Sequence, residues 1–156
     1  MSWLLLIGAG IVLLDQLTKW WVVHSIPVDQ PLVVLAGYLN LVNWRNTGAA
    51  WGMFQGFNLV LAVVSVLTVG VILVFRRSLH VHLPLCRFAL GLIIGGITGN
   101  LIDRFAAQSV IDFLDFHVNG WHWPAFNVAD SAICVGVTLY ILASWLSERR
   151  TVPDRA

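Results

Sequence analysis

Charge is scarce in this sequence. Of its 156 residues only nine are Lys or Arg and eight are Asp or Glu, 11% together. A soluble domain carries about twice that fraction, so a soluble globule with a large core is a poor reading. The net charge of +1 exerts no bulk pull toward nucleic acid, and no run of like charges is long enough to form an interaction tail. Cysteine is nearly absent too. Cys86 and Cys134 fall in apolar segments with no CxxC partner, which excludes a disulfide framework and leaves them as packing residues. Internal repeats and low-complexity linkers are missing. What is present is apolar: 58% of residues are hydrophobic and mean hydropathy is +0.82. These values describe a small polytopic membrane protein with one compact bundle.

A helix crossing the hydrocarbon needs roughly 20 mostly apolar residues. Four stretches qualify, at about 3–23, 57–75, 86–102 and 126–146. The expectation is therefore a single membrane domain over 1–156, all-α in class, with four transmembrane helices. The first stretch lacks a basic segment before it and holds Asp15 and Lys19 inside it. Neither suits a cleaved leader, so it is expected to stay as a helix. Basic residues cluster in "RRSLHVHLPLCR" at 76–87 and in "SERRTVPDRA" at 147–156. Cytoplasmic loops carry such clusters, so both termini are expected inside and the connections 24–56 and 103–125 outside, although Arg45 and Arg104 lie on the outer side. Within 24–56, β-branched and aromatic residues between Gly and Asn predict short strands with turns. Trp20, Trp21, Trp44, Trp51, Trp121 and Trp123 fall near the outer boundary, where Trp anchors.

The costly polar residues converge on that outer side. Asp15 is twelve residues beyond Trp3, roughly 18 Å along the helix. Asn100, Asp103 and Arg104 close the third stretch, Asn127 and Asp130 open the fourth, and Asn46, Asp112 and Asp115 lie in the outer connections. Asp15 and Lys19 share a helix face at i,i+4, as do Asn100 and Asp103 at i,i+3. Gly91, Gly95, Gly96 and Gly99 let a neighbouring membrane helix approach closely. Several of these residues have plain structural readings: Asp15 with Lys19 as a buried ion pair, Asp103 beside Arg104 as a helix-end charge group, Asp115 as a solvated acid. Asp112 in "VIDFLDF" and Asp130 in "FNVADS" fit such readings worst, because apolar surroundings make ionisation costly. Two close acids share a proton. The ionised one can then take a proton from water while the protonated one polarises a carbonyl. That chemistry is aspartyl peptide hydrolysis, and it requires neither metal nor cofactor. Ser131 has no His near it in sequence to activate it.

Five blocks carry a resemblance: "DQLTK" at 15–19, "NTGAAWG" at 46–52, "GGITGNLIDR" at 95–104, "VIDF" at 110–113 and "FNVADS" at 126–131. In that order, on a chain of this length, they closely resemble the bacterial lipoprotein signal peptidase family, signal peptidase II. The resemblance implies four helices with a small extracytoplasmic sheet-like cradle, in the bacterial inner membrane and in contact with its lipids. It implies an aspartic endopeptidase without a cofactor, acting as a monomer on diacylglyceryl-modified prolipoproteins. The catalytic pair it implies is Asp112 and Asp130. Supporting or substrate-binding roles fall on Asp15, Lys19, Asn46, Gly48, Asn100, Asp103, Arg104 and Asn127. Three readings compete. One is a small ion-conducting or transporter-type protein, since intramembrane acids also mark ion paths; here the acids of the spans and their connections all sit toward the outer side. A second is a zinc hydrolase using Asp112, Asp115, His117 and His122, which lacks an HExxH-type pair. A third is a structural subunit, which leaves Asp112 and Asp130 unexplained.

Overall fold

The computed structural model describes residues 2–151; Arg155 of the basic C-terminal tail lies outside them. The described chain runs α1 (Ser2–Ser25), β1 (Leu32–Leu35), β2 (Leu39–Asn46), a short helical turn at Ala50–Gly52, α2 (Asn58–Val74), α3 (Pro84–Ala107), β3 (Val110–Val118), β4 (Trp121–His122) and α4 (Val128–Thr151). It is mostly helical, with one small antiparallel sheet. Three helices, α1, α3 and Val128–Arg149 of α4, are long and apolar enough to cross a membrane. The helix in the second apolar stretch has only 17 residues, about 26 Å, against a hydrocarbon core of about 30 Å.

α3 is the central helix. Half of its residues are buried, with α1 and α4 on its two sides and α2 packed on it as well. Its glycines explain how. A Cβ on Gly95 would sit 2.7 Å from the Gly8 carbonyl oxygen of α1. On the other side, one on Gly96 would collide with the Ala129 carbonyl oxygen of α4. The glycines thus let both neighbours approach the α3 backbone, the packing role their spacing predicts. Leu4 and Ile7 lie against Gly91, and Asp15 lies against Gly99, so α1 runs parallel to α3. Gly136 meets Ala89 while Ala129 meets Gly96, so α4 runs antiparallel. The C-terminal ends of α1 and α3 and the start of α4 therefore share one end of the bundle. The start of α2 joins them, because the Asn58 side chain donates to the Arg104 carbonyl at 3.1 Å. Arg76, Arg77 and Arg87 fall at the other end, with Pro84 fixing the first turn of α3.

The sheet covers the polar end. Its order is β1-β2-β3-β4, every pairing antiparallel. Strands were expected in 24–56, and β1 and β2 are there. The connection expected over 103–125 is more ordered than a loop. α3 continues to Ala107, stopped by Gln108 in a left-handed conformation (φ 55), and "VIDFLDF" is strand rather than loop. The cause is legible afterwards: β-branched and aromatic residues fill that segment, and Asn119 and Gly120 (φ 50 and 79) form the two-residue turn that suits a twisted hairpin.

Candidate active site

Two helices supply a buried charge cluster. Asp15 is 0% and Lys19 2% exposed. The Lys19 Nζ lies 2.8 Å from Asp15 Oδ2 and 2.8 Å from Asp103 Oδ2, and donates to Asn100 Oδ1 at 2.9 Å. The expected Asp15–Lys19 pair is present, and Asp103 completes it from α3. A buried cation with two carboxylates and an amide oxygen has its hydrogen-bonding capacity used, the condition under which a buried ion survives. Asp103 is therefore not a helix-end charge paired with its neighbour Arg104; it faces Lys19, and its Oδ2 also accepts from the Ile111 amide at 3.3 Å. Gln16 is a residue the sequence reading did not single out. It donates to Asp103 Oδ1 at 3.0 Å and to Asp15 Oδ2 at 3.2 Å.

The cluster reaches α4 through backbone. Asp15 Oδ1 accepts from the Ala129 amide at 3.0 Å, one of the amides a helix start leaves without a helical partner. The next amide is satisfied by Asn127, whose Oδ1 accepts from the Asp130 amide at 2.9 Å. Asp130 Oδ2 in turn accepts from the Asn127 amide at 3.2 Å. That reciprocal pair is a capping box. "NVAD" could have disclosed it: a polar cap residue, an acid three residues on, then an apolar run.

Asn127 also binds the second acid. Its Nδ2 donates to Asp112 Oδ1 at 2.8 Å, and Asn46 Nδ2 donates to Asp112 Oδ2 at 2.9 Å. Asn100 Nδ2 donates to Asp130 Oδ1 at 2.7 Å. Each of the four carboxylate oxygens thus accepts a named hydrogen bond, and Asn127 touches both acids. β3 presents Asp112 and the α4 start presents Asp130, so two distant segments place them on one cavity of about 490 Å³. Asn46, Gly48, Asn100 and Arg104 line it with them. So does the connection Trp123, Pro124, Ala125 and Phe126, another feature the sequence reading missed. Arg104 Nη2 donates to the Gly48 carbonyl at 3.2 Å, and the Gly48 amide donates to Asn46 Oδ1 at 2.9 Å. That pins the 46–52 segment beside the acids. Burial, and after it the neighbouring Asp130 carboxylate, pushes Asp112 up to about 7 from the ordinary carboxylate value. The bonds from Asn46 and Asn127 oppose that rise.

Ser131 does not face a base: its hydroxyl donates to the Asn127 carbonyl at 2.9 Å. Asp115, expected to be solvated, is 1% exposed. It accepts from Asn40 Nδ2 at 3.2 Å and lies 2.7 Å from His122 Nδ1, a cluster in which Asp112 has no part. The four-residue zinc grouping read from the sequence is therefore not brought together as one set.

A family model described as signal peptidase (SPase) II matches residues 7–146. The chain is 42% identical over 154 residues to the lipoprotein signal peptidase of Nitratidesulfovibrio vulgaris (strain DP4), covering 96% of this chain and 91% of that one. Its identity to the lipoprotein signal peptidase of Listeria welshimeri is 35% over 146 residues, with 94% and 95% covered. A bacterial membrane enzyme solved in meso at 2.3 Å superposes with a TM-score of 0.89 at 27% identity, over 100% of this chain and 95% of the other. A second, at 1.9 Å, gives 0.81 at 30% identity, over 92% of each chain. None of these similarities supports an ion-conducting or transporter reading. The family match and the relatives agree with the five sequence blocks, and this chain belongs to the signal peptidase II family.

Proposed function

We propose that this signal peptidase is an aspartic endopeptidase whose catalytic pair is Asp112 and Asp130. As a member of its family it removes signal peptides from prolipoproteins. The observation that carries the aspartic reading is the pair itself: two carboxylates on one partly closed cavity, bridged by Asn127, one of them pushed up to about 7. Asp112 then holds the shared proton near neutral pH and Asp130 carries the charge. Asp130 takes a proton from the attacking water as Asp112 donates to the scissile carbonyl oxygen. The tetrahedral intermediate collapses when the proton gained by Asp130 passes to the leaving amine and one of its hydroxyls returns a proton to Asp112, which restores the starting pair. Asn100 and Asn127 hold the acids, and the Lys19 cluster with Asp15 and Asp103 fixes α1, α3 and the α4 start around them. Asn46, Gly48 and Arg104 face the cavity where a substrate backbone would lie.

In this reading α2 crosses the membrane with Phe57 and Phe75 at its ends, making four spans, and both termini are cytoplasmic. The acid-bearing end with the sheet is extracytoplasmic, in the bacterial inner membrane among its lipids. The protein works as a monomer, without a cofactor, and cuts before the diacylglyceryl-modified cysteine. In detergent with a diacylglyceryl-modified prolipoprotein, Asp112→Asn and Asp130→Asn should each lower cleavage by at least about a hundredfold while the protein still inserts and folds. Asp115→Asn should stay close to wild type. An active Asp112→Asn beside a dead Asp115→Asn would move the site to the other acid of "VIDFLDF".

A further inference from the structure

Strand alternation separates two sets of polar residues on β3. Asp112 faces the cavity, whereas Asp115 and His117, an odd number of residues away, stand on the other face. His117 pairs in register with His122 across the hairpin. Their rings stack at 4.9 Å between centroids, with 17° between planes. Both Nδ1 atoms approach one carboxylate: His122 Nδ1 is 2.7 Å from Asp115 Oδ1 and His117 Nδ1 is 3.8 Å from Asp115 Oδ2. One ligand atom from each of the three residues lies within 4.8 Å of the others. His117 Nδ1 is buried and has no hydrogen-bond partner.

We propose that Asp115, His117 and His122 form a zinc-type divalent-metal site at the β3–β4 hairpin, distinct from the catalytic acids. The donor set is right for zinc: two imidazole nitrogens and a carboxylate, with a fourth position left for water. Tetrahedral bonds of about 2.0–2.1 Å hold ligand atoms roughly 3.3 Å apart, between the 2.7 and 3.8 Å found here. Half-exposed His122 has freedom to open the shorter contact, and its exposure leaves a path for the ion. Support from behind is present. Asn40 holds Asp115 Oδ2, and the His117 amide donates to the Tyr38 carbonyl at 2.9 Å. Metal would occupy the Nδ1 positions, so the imidazoles bind neutral with their remaining proton on Nε2, and any proton beyond that is released. The physical effect is to clamp the hairpin. The chain leaving β4 is Trp123 to Phe126, a wall of the catalytic cavity, so the clamp steadies that wall without entering the chemistry.

The test uses the full chain without a histidine tag, in detergent, stripped with chelator and then titrated with zinc chloride. Wild type should take up about one zinc per chain and unfold at a higher temperature when loaded. His117→Ala/His122→Ala should lose both effects, and Asn40→Ala should bind about 10–100-fold more weakly. Cobalt-loaded wild type should show visible absorption of a four-coordinate nitrogen and oxygen site, a readout that no variant's folding can obscure. Absence of stoichiometric zinc, or undiminished zinc in the double variant, overturns the site. Cleavage of the lipidated precursor should continue in stripped enzyme. Its loss on stripping, restored by zinc, would overturn the separation of this site from the catalysis.

Discussion

In the proposed mechanism the surroundings of Asp112 set the working pH. Burial and the Asp130 charge raise it to about 7, and Asn46 and Asn127 restrain the rise by donating to its ionised form. In the proposed mechanism the pair must hold one proton. As pH rises through about 7 that proton leaves, two adjacent carboxylates are both charged, and kcat/KM falls. The alkaline limb of the pH profile belongs to the pair rather than to one acid. Asn46→Ala removes a donor that favours ionisation, so Asp112 should rise further and the limb should move to higher pH. A pH series of kcat/KM on wild type and variant checks the sign; a limb displaced to lower pH would contradict the assignment of Asp112 as proton holder.

At the scale of elements, the start of α4 does two tasks with one residue. Asn127 caps the helix through its Oδ1 and holds Asp112 through its Nδ2. These tasks are separable by substitution. Asn127→Ser keeps a good cap acceptor but has no amide to reach Asp112, so it should unfold at a higher temperature than Asn127→Ala and still lose most of its cleavage. Asn127→Ala should lose cleavage and also about 0.5–2 kcal/mol of stability with the cap. Thermal unfolding and cleavage measured on both proteins decide it: equal unfolding temperatures for the two variants would remove the capping role. The same element shows why α3 needs its glycines. A Cβ on Gly99 would lie 2.6 Å from Asp15 Oδ2, inside the space that lets α1 bring its charge cluster to the acids.

For the whole molecule the issue is depth. α1 and α3 end where α4 begins, so the acids lie at one end of the bundle and Arg76, Arg77 and Arg87 at the other. With the basic end in the cytoplasm, as proposed, a cytoplasm-active reporter fused after Arg150 should work and one inserted near Gly120 should be silent. A periplasm-active reporter should give the reverse, and any other pattern breaks the shared-face argument. Acids at that level also predict that the substrate's lipid matters. A diacylglyceryl group holds its cysteine at the hydrocarbon boundary, each buried CH₂ contributing about 0.8 kcal/mol. The unmodified precursor should therefore be cleaved much more slowly than the lipidated one in the same micelles; equal rates would mean that placement in depth contributes nothing.

What the sequence determined by itself was the class and the participants. Scarce charge and long apolar runs leave few places for acids, so Asp15, Asp103, Asp112 and Asp130 stood out against their backgrounds, and ordered blocks around them matched one family. Apolar run length also disclosed the four helices α1 to α4, composition between turn residues disclosed the strands of the first connection, and helix spacing the Asp15–Lys19 pair, because all three are local properties of the chain. Only the tertiary structure decided who pairs with whom. Lys19 chose Asp103 as its second partner, Gln16 joined them, and Asn127 bridged two acids. Asp115 left the solvent for His122, and Trp123 to Phe126 became a cavity wall. Apart from the Asn127–Asp130 capping box, which the spacing in "NVAD" could have disclosed, these contacts are not written in spacing, since they join residues on different elements. Their partners are fixed by how closely α3's glycines let α1 and α4 approach, and by the pairing of β3 with β2. A buried polar group must find its partner wherever the packing brings one, and packing is a property of the whole fold.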